Sequence, residues 1–210
     1  MSKKVNQKKN MIVEIFRSQF RVKSLYPSGW DCDAPKNDTI YFVSSFSYMI
    51  LAILVFHSTN VSSYVIYDED VTNLGFSIAL VLQSYFTYNA DVEYIGKKST
   101  FHSLDRFFAT LMCVLFGLNI WFISTDERMI FIMGVPVSLS LLCRSRIARI
   151  RGIDPREYIF WHTGWHFHLP LNTALWVLMR QPGSIRPLYM LISMILNIFT
   201  CLLHVAYPPK

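Results

Sequence analysis

YIFWHTGWHFHLPLNTALWVLM, residues Tyr158–Met179, reads as a membrane-spanning helix with a chemical site written into its first turns. It is long enough to cross a hydrocarbon core, which takes about 20 helical residues. His162 and His166 stand four apart, so a helix puts them on one face, where they can converge on one metal ion. Ionisable groups inside a span cost free energy, which makes them functional candidates by default. Pro170 follows His166 by four residues and predicts a bend.

Five further apolar runs accompany this one: Ile40–Phe56, Leu74–Ala90, Leu104–Ile123, Met129–Cys143 and Leu188–Ala206. The fourth is short and carries Pro136, so a kink or tilt is expected there. The chain has 210 residues, 52% of them hydrophobic and only 16% charged. Its mean hydropathy is +0.31. Such a profile, broken into long apolar runs, excludes an ordinary soluble domain. The expectation is an all-α polytopic transmembrane helix bundle of about six spans, seven at most. A basic tail over 1–36 precedes the membrane domain over 37–210. In that tail Ile12, Ile15, Phe16 and Phe20 fall near one face, as in an interfacial amphipathic helix. No cleavable signal peptide is expected, because the first ten residues are polar and basic.

The net charge of +6 does not point to nucleic acid, because the basic residues cluster mainly in two places. Lys3, Lys4, Lys8, Lys9, Arg17, Arg21 and Lys23 precede the first span, and Arg144, Arg146, Arg149, Arg151 and Arg156 follow the fourth. Between them the flanks alternate: Asp68-Glu69-Asp70, then Lys97-Lys98, then Thr125-Asp126-Glu127-Arg128. Positive flanks stay in the cytoplasm, so both termini are expected there. Only Arg180 and Arg186 run against the alternation. Asn60-Val61-Ser62 falls on the expected outer side as a glycan acceptor. The arginine-rich flank also suits anionic lipid headgroups. Cys32, Cys113, Cys143 and Cys201 have no metal-finger spacing and imply no disulfide framework.

With this topology the polar residues of three spans meet at their cytoplasmic ends. The second span ends in Ser84, Tyr88, Asn89 and Asp91; the third begins with His102, Ser103 and Asp105; the fifth begins with His162, His166 and His168. A catalytic zinc takes three protein ligands and keeps one position open. His162 and His166 supply two, and His102, on another helix at similar depth, is the natural third. Zinc brings the pKa of the water it holds towards neutrality. Asp105 lies one turn beyond His102, placed to orient a ligand or to act as general base. Ser84 or Ser103 can donate to a developing oxyanion. A plainer reading stands beside this one: Trp, Tyr and His are at home at a membrane interface, and Asp105-Arg106 makes an interfacial ion pair. His168, off the paired face, reads as packing or support, and His57 and His204 as structural.

Leu104-Asp105 and His162-x-x-Trp165-His166 resemble the CREST superfamily of membrane proteins. This group includes alkaline ceramidases, progestin and adiponectin receptors, hemolysin III proteins and myomaker-like proteins. The resemblance implies seven spans, a zinc ion held by three histidines near the cytoplasmic side, and hydrolysis of lipid amides in characterised members. Asp105 matches the family aspartate, and His162 and His166 match its paired histidines. Where the family carries Ser and His late in the second span, this chain has Ser84, one residue out of register, and Asn89 in place of the histidine. Only one span separates the Asp-bearing helix from the paired histidines, and a further helix follows them.

Three functions compete. The first is a zinc-dependent membrane hydrolase acting on a lipid amide or ester, with Asp105 and Ser84 as catalytic residues and His162, His166 and His102 as ligands. The second is a non-catalytic receptor or scaffold with a degenerate site, which Asn89 favours. The third is a haem-binding redox protein, whose axial pair needs two histidines at equal depth. In each, the partner is membrane lipid and not nucleic acid.

Overall fold

The structure is a computed structural model. It describes residues 22, 26, 29–58, 69–119, 124–152 and 154–208. The amphipathic segment Met11–Phe20 and the triplet Asn60-Val61-Ser62 lie outside the described residues. Within them every regular element is helical: α1 (Asp33–Asn37), α2 (Thr39–Ser44), α3 (Ser47–Phe56), α4 (Glu69–Tyr88), α5 (Phe101–Asn119), α6 (Thr125–Arg151), α7 (Pro155–Met179) and α8 (Arg186–Ala206). A π-helical turn, Asn89–Glu93, continues α4. As far as they are described, all six apolar runs fall on these helices. Three helical stretches are long and apolar enough to cross a membrane: Thr39–Phe56, which joins α2 and α3, Glu127–Arg151 in α6, and Arg186–Ala206.

The fourth run, expected to be short, is only the middle of a 27-residue helix. Thr125-Asp126-Glu127-Arg128, read as a loop, is its first turn. Ser124 opens that turn with a capping box: the Ser124 N–H donates to Glu127 Oε2 at 2.8 Å, and the Ser124 hydroxyl accepts from the Glu127 N–H. The two bonds satisfy backbone donors that a helix start leaves unpaired. Most of the arginine-rich loop is helix as well. Arg144, Arg146, Arg149 and Arg151 ride the last turns of α6, where cations complement the helix dipole and long straight side chains cost little helix propensity. Gly152, at φ 63°, ends the helix in the left-handed conformation. Asp154 then caps α7, accepting from the Arg156 N–H at 2.8 Å. At about 1.5 Å per residue α6 is about 40 Å long, against a hydrocarbon core of about 30 Å. Its arginine end therefore outruns an apolar layer.

α7 is the centre of the bundle, packed against α2, α3, α6 and α8. Trp161, Trp165, Trp176 and Val177 are buried along it, and so are His162, His166, His168 and Asn172. These polar residues lower the hydropathy of a helix whose position is the most enclosed in the molecule. α8 shows the complementary pattern. Ile195, Ile198, Leu202 and Val205 are exposed, while Ser193, Asn197 and Thr200 are buried. Apolar outside and polar inside is the order expected where the surrounding medium is hydrocarbon.

The buried polar groups on this side are bonded to one another. Ser138 Oγ of α6 lies 2.6 Å from His168 Nδ1. Asn172 Oδ1 accepts from Ser193 at 2.9 Å and from Asn197 at 3.2 Å, both on α8. Gly134 allows α6 to approach this point, since a Cβ there would meet Asn172 Cγ at 2.8 Å. His168 thus ties α7 to α6, and Asn172 ties it to α8.

Pro170, expected to bend α7, sits within a helix that continues on both sides of it. Proline has no N–H, so the carbonyl of His166, four residues earlier, loses its helical donor. Ser47 of α3 supplies the replacement, its hydroxyl donating to the His166 carbonyl at 2.6 Å. In an apolar bundle such a carbonyl has no water to turn to. Ser47→Ala is expected to destabilise the protein by about 1–3 kcal/mol, the cost of a buried unsatisfied acceptor. In a Pro170→Ala background, where a backbone N–H returns, the same change is expected to cost far less. Thermal unfolding of the four proteins in detergent reads this cycle; equal costs in both backgrounds would remove the link.

Candidate metal centre

The site lies where the end of α4 meets the first turns of α7. On α4 the residues Gln83, Thr87 and Asp91 stand four apart, one turn after another, so they form a polar stripe down one side. The first two hold Asp105 of α5: its Oδ1 accepts from Gln83 Nε2 at 2.7 Å and from the Thr87 hydroxyl at 2.6 Å. The third, in the π-helical turn, meets the paired histidines. Asp91 Oδ2 lies 2.9 Å from His162 Nε2 and 3.3 Å from His166 Nε2. The two Nε2 atoms are 2.9 Å apart. π-turns inside helices are frequent at functional sites, because the wider turn re-aims the side chains that follow.

Three ligand atoms therefore converge within 4.8 Å of one another, and the group can hold a metal ion. Around a tetrahedral zinc, with bonds of about 2.0–2.1 Å, ligand atoms stand about 3.3 Å apart. The observed triangle matches after an opening of a few tenths of an ångström. Two histidines and one carboxylate leave a fourth position, as in catalytic zinc sites.

Aromatic rings fix the imidazoles. His162 stacks on Tyr158 at 5.0 Å and lies against Tyr41 at 5.9 Å, and Tyr48 meets His166 edge-on at 6.1 Å. The Nδ1 atoms of both histidines are buried and meet no hydrogen-bond partner among the described residues. Packing, rather than an outer ring of acceptors, orients these ligands.

His102, expected as the third ligand, does not join this group, and Asp91 takes its place. The His102 Nε2 lies 3.0 Å from the Lys97 carbonyl and 3.2 Å from the Tyr94 carbonyl. Both neighbours are carbonyl acceptors, so Nε2 carries the proton it shares between them. His102 straps the loop after α4 to the start of α5. Ser84 is buried, its hydroxyl without a partner among the described residues, and it does not line the cavity beside the histidines. Asn89 spends its amide on the Tyr85 carbonyl, at 2.8 Å. Ser103 donates to the Thr100 carbonyl at 2.8 Å.

The cavity beside the histidines holds about 240 Å³, and Asp91, His102, Asp105, His162 and His166 are all on its wall. So the structure brings Asp105 and the three expected histidines to one space, though only two of those histidines to one point. Tyr26, from the connector ahead of α1, closes part of the rim; burial, with Cys32 and Asp31 nearby, raises its hydroxyl pKa to about 12. His204, expected to be structural, stacks flat on Trp161 at 4.9 Å. Comparison with protein-family models, curated proteins and solved structures finds no match to this chain.

Asp91 is the candidate ligand that the sequence reading does not name as one, although its four-residue spacing from Thr87 and Gln83 is visible there. In protein purified without chelators, about one divalent metal ion per chain is expected by mass spectrometry. Asp91→Ala and His162→Ala are each expected to lower occupancy at least tenfold, while His102→Ala keeps it. Full occupancy in Asp91→Ala, or loss in His102→Ala, would reverse the assignment made here.

Proposed function

We propose that the chain is a six-span membrane protein, related to the CREST superfamily, that hydrolyses a lipid amide or ester with a zinc ion held by Asp91, His162 and His166. The convergence of these three ligand atoms carries the reading. The six-span topology is supported by exposed apolar side chains on α4 and α5 (Ile78, Val81, Phe107 and Val114) as well as on the three most apolar stretches. The arginine-bearing ends of α6 and the start of α7 stand at one end of the bundle, which charge places in the cytoplasm. The site is near that end.

A bound zinc supplies Lewis acidity and a water acidified towards neutrality. The residues around it supply the rest. Asp105 shares the cavity, and Gln83 and Thr87 hold its Oδ1, so it is the carboxylate positioned to accept a proton from attacking water. Hydrolysis then breaks the acyl C–N or C–O bond, leaving the hydroxyl on the acyl carbon and delivering the proton to the departing amine or alcohol. A second, apolar cavity shares Tyr48, Cys113 and Trp165 with the first and continues between α3, α4, α5, α6 and α7 past Leu80 and Leu169. At about 70 Å³ it has room for the first few methylene groups of a substrate's chain.

Zinc-loaded protein is expected to release fatty acid from fluorogenic N-acyl or acyl-ester lipids in mixed micelles. Asp105→Asn is expected to cut the rate by about a hundredfold or more while metal stays bound. Metal retained without turnover on any acyl lipid would instead favour a receptor or scaffold role, a reading for which the position of Ser84 off the cavity speaks.

A further inference from the structure

The metal-site cavity has a second chemical feature that an amide or ester carbonyl does not use. Arg106 of α5 and Arg146 of α6 both line it. Each residue is only 6% exposed. Arginine is rarely buried to this degree without a role, because desolvating a guanidinium is costly unless an anion compensates it. They sit on different helices, on the same cavity wall as Asp91 and Asp105.

The charge balance of the cavity is informative. Its carboxylates, Asp91 and Asp105, offset its guanidiniums, Arg106 and Arg146, and the histidines are neutral as ligands. A divalent ion in the Asp91/His162/His166 group then leaves the enclosed space two positive charges in excess. A compact dianion restores neutrality, and planar guanidiniums suit the oxygen geometry of phosphate. An uncharged amide lipid leaves the excess in place.

We infer that the substrate or ligand of this cavity carries a phosphate group, seated by Arg106 and Arg146 beside the metal position, with the start of its hydrocarbon chain in the adjoining apolar cavity. This rests on the metal-centre reading proposed above. It narrows the substrate class from acyl lipids in general to phosphate-bearing ones. The adjoining walls of Leu80, Met112 and Phe131 receive the first methylenes of an apolar tail attached to the charged head. Free phosphate or glycerol phosphate would leave that space unfilled.

Isothermal titration in detergent tests the inference on the wild-type protein itself. The probes are dioctanoyl phosphatidic acid, dioctanoylglycerol and glycerol 3-phosphate. Metal content is measured on the same samples. The phosphatidic acid is expected to bind at least about tenfold more tightly than the uncharged diglyceride, as charged hydrogen bonds warrant, and also more tightly than glycerol phosphate. Arg106→Gln and Arg146→Gln are each expected to narrow the gap between the two lipids without lowering metal content, and Arg146→Lys to restore part of it. Equal affinity for the two lipids in metal-loaded protein would overturn the phosphate assignment and leave the metal centre standing. Glycerol phosphate binding as tightly as phosphatidic acid would overturn the tail's part. Wild-type protein without metal would remove the charge excess, and this inference with it; the metal-centre reading would then have failed first, visibly, in the metal assay.

Discussion

A helix packed among four others, in a bundle with many apolar side chains on its outside, keeps its buried polar atoms from water. α7 is such a helix, and most of the structure answers to it. Its His166 carbonyl, orphaned by Pro170, is met by Ser47 from α3. Its Asn172 is met by Ser193 and Asn197 from α8. Its His168 is met by Ser138 from α6. Each bond crosses to another helix, so the polar residues of α7 specify which neighbours stand where. Apolar packing alone would define these positions loosely, because one leucine-rich helix face is much like another.

The same constraint separates the site from the scaffold. At His168 the ring meets a neutral hydroxyl and an amide, both at Nδ1, and no charged group. At His162 and His166 two imidazole nitrogens and a carboxylate oxygen are aimed at one point. Two neutral imidazoles cannot both present lone pairs to each other at 2.9 Å without a proton or a cation between them. A proton on one Nε2, donated to the other nitrogen or to Asp91 Oδ2, or a cation bound among the three atoms, resolves the contact. Asp91 supplies the opposite charge, and the stacked tyrosines hold the rings in place.

Much of this was legible in the sequence because it is local. The apolar runs fall on helices, and the pairing of His162 with His166 needs only the four-residue rule. What was not legible depended on long-range partners or on how far helical structure extends past an apolar run. Arg144, Arg146, Arg149 and Arg151 look like a loop when hydropathy marks the boundary, but hydropathy reports a surrounding medium and not backbone geometry. The Ser124 capping box and Gly152 set the true limits of α6. His102 was chosen as a ligand for its residue type and apparent depth. Its Nε2 instead satisfies carbonyls freed where the π-turn gives way to the loop.

Asp91 shows why residue type alone misleads at such a site. Expecting three histidines directs attention to Asn89 and to what it lacks, and so towards a degenerate centre. The polar stripe on α4 points two residues further on. Gln83 and Thr87 engage Asp105, and one more turn along the same side brings a carboxylate to the histidine pair. A carboxylate in that position is not equivalent to imidazole. It adds a negative charge to the ligand set, which lowers the net charge of any ion bound there and makes its Lewis acidity weaker than that of a three-histidine site. Arg106 and Arg146, brought onto the same cavity by α5 and α6, return positive charge beyond the reach of the ligand bonds. The field inside the cavity is then shared between any ion bound there and two guanidiniums, the arrangement on which the proposal of an anionic headgroup rests.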